Sequence, residues 1–446
     1  MANTYITRTP GSTSSSQALT ISVWLKRSGL GANNVIASAK QNGSNYADLW
    51  FNSSDQLCWK NVHGGTEYGS FVTNRVFRDP TAWYHICFDY DPTASTNRDA
   101  GDRIKLWVNG VRETSFSSSA NPDSDRWAWW MLNNIPTYIG YSFILGAYFD
   151  GLMSHWHLID GTGYPASNFG STDSTSGIWK PNTGPSVTYG NNGEFLKMED
   201  SSNMDLDSSS NSHTMTTSGT LTATKDNPSN NFCTLNSAYR YSGTLSKGGL
   251  NYTNGASWVG LPATMAVEKG KWYWEVKLTA ITNWTQNGIA SAKLDGGYNS
   301  LHSIHVGGNS GAASLNTGGG DIYYNGSSSG GTWFGSGNSQ GEIIGVALDV
   351  DNGKLYFASN NSWGASSNPA TNTNGYALPS NITDNLPIVP AASVQDCTVD
   401  YNFGNGYFGT TAVASAESDG AGFGAFEYAP PSGFYALCTK NLAEYG

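Results

Sequence analysis

The sequence predicts an all-β protein built as two antiparallel β-sandwiches in tandem. Three observations predict it: two hairpin signatures, alternation of apolar and polar residues in both halves, and an aromatic-rich, charge-poor composition. The signatures are RIKLWVNGVRETSF at 103–116 and IIGVALDVDNGKLYF at 343–357. In each, alternating apolar residues run into Asn-Gly and straight out into a second alternating strand. Asn-Gly readily takes the positive φ angles of a two-residue type I′ turn, so each hairpin is expected to close on its Asn-Gly pair.

The strands follow in order. Residues 19–25 place Leu19, Ile21, Val23 and Leu25 on one face, and the Lys-Arg-Ser-Gly at 26–29 ends that run. Residues 83–90 set Tyr84, Ile86, Phe88 and Tyr90 on one side, and the first hairpin turns Ile104, Leu106 and Val108 inward. Residues 137–143 and 149–159 supply further strands. Alternation with one wet face is what a sandwich sheet requires. Residues 200–230 change to Ser, Thr, Asn and Asp and read as a surface-hugging connector, with a short strand at 213–217. The second half restarts at 271–278 and continues through 321–325, the second hairpin, 399–403 and 433–438. The Gly- and Ser-rich stretches 307–320 and 325–341 are expected loops. Single sandwiches often fill about 200–250 residues, so the expected division is 1–199, a connector at 200–230, and 231–446.

Composition narrows the function. Gly 53, Trp 16, Tyr 24 and Phe 17 accompany only 13% charged residues, against roughly 25% in an average chain, which favours turns and aromatic cores over solvated helices. Lys+Arg 23 against Asp+Glu 34 leaves −11 with no basic block. Nucleic acid and anionic membrane surfaces are therefore disfavoured as partners, since both are held by Lys and Arg. The N-terminus lacks a basic stretch followed by an apolar core, so it does not read as a signal peptide. No stretch approaches the roughly 20 apolar residues of a membrane span. Five cysteines without a short repeated spacing argue against a disulfide framework and a zinc site, and point to folding in a cytosol. Cys87 and Cys438 sit in strand-like runs as small core residues.

The segments YITRTP, ISVWLKRS, WYHICFDYD, IKLWVNGV and FDGLMSHWHLIDG resemble the LamG-like, concanavalin A-type jelly rolls of tailed-phage structural proteins. KGKWYWEV, IGVALDVDNGKLYF and VDYNFGNGYF resemble the SPRY domain, also a concanavalin A-like sandwich. NPSNNFCTLN and PPSGFYALCTKNL resemble segments that bracket such SPRY units in marine phage virion proteins. The resemblance implies two lectin-like jelly rolls, no cofactor, and a place on a virus particle. It implies a non-enzymatic virion surface protein, tail-fibre-like or head-decorating. The partners it implies are host-surface glycan, neighbouring virion proteins and copies of itself, by analogy as a trimer. With no attachment domain or β-helix, the chain reads as a bare pair of display modules. A cement or adaptor protein that binds no sugar is the second reading, and a polysaccharide depolymerase the third.

Residue-level chemistry adds candidates. The Glu-x-Asp-x-x-Glu strand of glucanases is absent: Glu275 stands alone, Glu113 closes a hairpin, and Glu194 and Glu199 fall on opposite faces. His155 and His157 share a strand face near Asp160, as a metal site would begin, but no third ligand is spaced to complete it; both are expected to face solvent or a neighbouring subunit. Residues 349–353 start like a calcium loop, but Asn360 stands where an EF-hand puts its Glu, and they read as a turn. Trp127, Trp129 and Trp130 crowd together beside Asp123 and Asp125. Alternation sends Trp127 and Trp129 to one side and Trp130 to the other. Sugar stacking, a subunit interface and simple core packing all remain open for them. Trp284, Trp333 and Trp363 lie in loop-like surroundings, and the SPRY resemblance makes them binding candidates.

Overall fold

A computed structural model of the chain describes residues 3–14, 17–93, 103–123, 126–293, 306–308 and 311–446; Asp125 lies outside the described residues. The chain is nearly all β and divides into two compact units, Met1–Ala223 and Thr224–Gly446. No helix among the described residues is long and apolar enough to cross a membrane.

In the first unit an eight-stranded antiparallel sheet faces a six-stranded one. Leu19–Arg27, Trp83–Tyr90, Ile104–Val108 and Gly151–Asp160 belong to the six-stranded sheet. Asn34–Asn42, Asn45–Phe51, Gln56–His63 and Thr66–Val76 form successive antiparallel pairs in the other. The alternation then does its expected work. Ile21, Val23, Leu25, Ile86, Phe88 and Leu106 meet Ala37, Leu49, Phe51, Trp59 and Phe71 in one core. Trp59 sits 5.2 Å from Phe88 and 5.5 Å from Tyr90, bridging the layers. Full burial of each such side chain stabilises the fold by about 1.5–3 kcal/mol.

Several expectations need correction. The strand from Leu19 does not end at Lys26; it runs to Arg27, whose buried guanidinium donates to Asp55 and lies 4.3 Å above the Phe51 ring. Nor does the six-stranded sheet have a wet face. Cys87 and His157 on its outer side are covered by Ala166, Phe169, Tyr189 and Phe195, a second, smaller core. The region 200–223 packs as part of the first unit: Thr216–Ser218 pairs with Tyr5, Ile6 and Thr7, and buried Asp207 accepts the Phe195, Ser209 and His213 N–H groups.

The two Asn-Gly turns differ. Val108 pairs with Val111, and Asn109 (φ 50°) and Gly110 (φ 77°) close a two-residue turn. In the second hairpin Asp349 pairs with Lys354, so the loop has four residues and Gly353 alone takes positive φ. Asp349 causes the difference: its carboxylate accepts both the backbone N–H and the Nδ2 of Asn352, and Lys271 Nζ lies 3.0 Å away.

The second unit hangs on two long strands, Lys271–Ser291 and Ile388–Asn402, which pair along nearly their whole length with bulges between Leu278 and Trp284. On one side of the bulges the first strand also pairs with Ile343–Asp349, on the other with Ala312–Asn316. One sheet thus bends into two layers around a single core holding Val276, Ile289, Val346, Val394 and Tyr401. The expected loops contain strands, Ala312–Asn316 and Ser327–Thr332, because small Ala, Ser and Gly side chains still pair through their backbones.

Candidate functional site

The tryptophans separate by burial. Trp129 and Trp130 open a single 3-10 turn, Trp129–Met131, in place of a strand. That geometry turns both indoles inward, Trp129 donating to the Val62 carbonyl and Trp130 left only 1% exposed. Trp127 is half-buried, and its carbonyl accepts from Asn61 Nδ2 and faces His63 Nε2. Trp333 is buried, donates to the Phe357 carbonyl and meets that ring edge to face. Burial removes Trp129, Trp130 and Trp333 as sugar contacts. Trp363 is half-buried against the core of its unit. Trp284 alone of the six stands largely exposed, at 51%, with Gly318 packed against its indole.

His155 and His157 are buried, contrary to the solvent-facing or intersubunit expectation. A bulge between Ser154 and His157 puts His155 at φ 51° and breaks the period of two. His155 Nδ1 meets Ser154 Oγ, while His157 Nδ1 meets the Tyr189 hydroxyl and its ring stacks on Phe195 at 4.0 Å. No group of three His, Cys, Asp or Glu among the described residues could hold a metal ion. The carboxylates are occupied as well. Glu194 accepts from Arg8 and Trp156, and Glu275 accepts the Glu427 and Tyr428 N–H groups and Asn402 Nδ2.

The most developed surface feature is one that sequence reasoning missed. Gly140, at φ 85°, turns the chain after Thr137–Ile139, so 137–143 is not one strand. The short hairpin that follows, Tyr141–Ser142 paired with Ala147–Tyr148, lies on the outer face of the eight-stranded sheet. It brings Tyr141, Phe143 and Tyr148 beside Tyr5 and Tyr138. Tyr141 stacks between Tyr5 (5.1 Å) and Tyr148 (4.5 Å), and Phe143 meets Tyr138 (5.1 Å) and Tyr141 (4.7 Å) edge to face. Four of the rings are half-buried and Phe143 is 46% exposed. The patch opens into a shallow cavity of about 260 Å³ lined by Lys40, Gln41, Asn134, Pro136, Tyr138 and Phe143.

Polar groups beneath fix the hairpin. Ser38 Oγ donates to the Tyr141 carbonyl, and Ser142 Oγ accepts the Ile144 and Leu145 N–H groups. Asp48, 2% exposed, lies against Ser142; burial pushes its carboxyl up to about 6, partly offset by the Ser142 hydrogen bond and by Lys60 and Lys40. Burial likewise raises the Tyr138 and Tyr141 phenols, which stay neutral. The result is a set of ring faces on a hydrogen-bonded hairpin, beside the polar cavity lining. Such faces stack on the apolar side of a sugar ring while neighbouring polar groups fix its hydroxyls.

Residues 1–162 match a laminin-G-type family of the concanavalin A-like lectin/glucanase superfamily. Among solved structures, the SPRY domain of human HERC1 is 16% identical, with a TM-score of 0.28 over 36% of this chain and 91% of that one. The PSpry domain of TRIM65 is also 16% identical, with a TM-score of 0.27 over 36% and 82%. No curated protein matches the sequence. The fold class that emerges is a pair of antiparallel β-sandwiches, the first of them similar to the concanavalin A-like, laminin-G-type family.

Proposed function

We propose that this chain is a non-enzymatic, lectin-like binding protein that engages a saccharide through the ring patch of its first unit. The observation that carries the proposal is the patch itself: five contiguous aromatic rings, three on one pinned hairpin, beside a cavity with polar lining. The laminin-G-like match over 1–162 supports it, since that superfamily includes lectins. The cavity lining carries no carboxylate, whereas glycosidases flank the scissile bond with two. The sequence resemblance to phage structural proteins extends the proposal to a place on a tailed-phage virion. There the second, SPRY-like unit and the virion's neighbouring proteins hold the module, and host-surface glycan is the ligand. Repetition on a particle raises the avidity of a weak site by roughly 10²–10⁴, which makes a shallow site workable.

A glycan array probed with the purified full chain, clustered on beads to mimic particle valency, tests this. Binding to a subset of saccharides is expected. An array without a bound saccharide overturns the proposal and leaves the cement or adaptor role.

A further inference from the structure

We infer that the saccharide bound at the ring patch is an acidic one, with its carboxylate or sulfate seated against Lys40. The inference rests on the saccharide reading above and deepens it. Lys40 is the one ionisable cation in the cavity lining, which contains no acidic side chain. Its ammonium lies 4.9 Å over the Phe143 ring, at the junction of the cavity and the stacked tyrosines. Several other cations of the first unit face carboxylates instead: Arg8 faces Glu194, Arg27 and Arg78 face Asp55, Arg75 faces Glu113, Lys60 faces Glu67 and Lys180 faces Asp173. Among the described residues Lys40 faces the Phe143 ring, and the carboxyl its charge reaches, Asp48, is buried against Ser142.

The remaining lining also favours an acceptor. Gln41, which lines the cavity, has its Oε1 engaged by Asn45 Nδ2, so its amide N–H groups are the part left to donate. Asn134 is held at φ 58° with its N–H on the Pro10 carbonyl and its side chain exposed at the rim. A neutral sugar needs donors and acceptors in balance, whereas a cation with amide donors around it is what an anionic oxygen group requires. In a chain of net charge −11, a lysine over an aromatic face is a local reversal of sign, and a charged ligand reads such a reversal first.

The test is a titration of the full chain and its Lys40→Gln and Lys40→Arg variants against three oligosaccharides of equal length: a neutral glucan, a polyuronate and a sulfated galactan. The wild type is expected to bind at least one acidic probe tenfold or more tighter than the neutral one, with the preference shrinking as salt rises. Lys40→Gln should bring the two within about twofold, and Lys40→Arg should keep most of the preference. Tight binding of the neutral probe by the wild type, or a preference unchanged in Lys40→Gln, overturns this inference while the saccharide reading stands. Failure to bind either acidic probe by a chain that binds a saccharide on the array overturns this inference, and failure on the array as well overturns both. The acidic probe that binds decides between carboxylate and sulfate, and an unchanged melting curve shows that Lys40→Gln is folded.

Discussion

Replacing Glu275 by Leu is expected to cost the second unit about 3–5 kcal/mol, since removing a carboxylate from a buried hydrogen-bonded network strands its partners. Glu275 is fully buried on Lys271–Ser291. Its carboxylate accepts the N–H groups of Glu427 and Tyr428 at 2.9 Å, Asn402 Nδ2 at 3.1 Å and the Tyr273 hydroxyl at 3.2 Å. This side chain therefore ties the backbone at Glu427 and Tyr428 to the long strand, alongside the pairing of Tyr435 and Ala436 with Trp272 and Tyr273. Leu fills the volume and leaves two backbone donors and an amide without partners. Glu275→Gln keeps one acceptor oxygen and should lose less. Burial, partly offset by those hydrogen bonds, pushes the carboxyl up to about 7 from its ordinary 4.5. Between those values the folded unit holds a proton that the unfolded chain releases, so this group's contribution rises as pH falls from 7 to 4.5. Denaturant unfolding at pH 7 and pH 5 checks both points: a midpoint shift below 1 kcal/mol in Glu275→Leu, or an acid-side gain that persists in Glu275→Gln, contradicts the account.

The histidines of the first unit are expected to act in the opposite sense. His85 is buried, its Nδ1 accepting from Trp179 Nε1 while its Nε2 meets Ser22 Oγ, and its ring stacks on Trp24 at 5.0 Å. Burial, with a smaller contribution from His155, pushes it down to about 3 from 6.5. The unfolded chain therefore takes up a proton below pH 6.5 that the folded unit refuses. Stability falls as pH drops from 6.5 toward 3, by about 1.4 kcal/mol per pH unit for one such group. Burial lowers His155 and His157 as well, which adds to the slope. Asp48, raised by burial to about 6, opposes it below that pH, and Glu194, also raised by burial, acts in the same sense as Asp48. His85→Gln should remove one proton's share of the slope between pH 6.5 and 4.5, read from unfolding midpoints across that range. An identical slope in the variant means that His85 is protonated in the folded unit.

The sequence made the architecture legible where a local signal and the burial pattern agree. Asn109-Gly110 is such a case, as is Trp83–Tyr90, whose inner face is the expected Tyr84, Ile86, Phe88 and Tyr90. Where a side chain reaches beyond its neighbours, the local rule fails. Asp349 captures Asn352 and lengthens the second turn, and Asp55 draws Arg27 into a buried strand end. The candidate site was the least legible part. Its rings come from Tyr5, Tyr138 and the hairpin after Gly140, and no spacing reveals that a glycine at φ 85° folds Tyr141 back onto the sheet. The conspicuous tryptophans misled because a 3-10 turn, invisible to a period-of-two reading, sends Trp129 and Trp130 to the core.

The ring patch of the first unit and, of the tryptophan candidates, exposed Trp284 of the second therefore compete for the ligand. The most direct measurement is a titration of the tightest-binding array saccharide against three proteins: the wild type, a Phe143→Ala/Tyr148→Ala double variant, and Trp284→Ala. The double variant is expected to bind at least tenfold more weakly, a loss of about 1.4 kcal/mol, with its unfolding midpoint unchanged, while Trp284→Ala binds as the wild type does. Retained binding in the double variant together with loss in Trp284→Ala would place the site in the second unit and contradict the account.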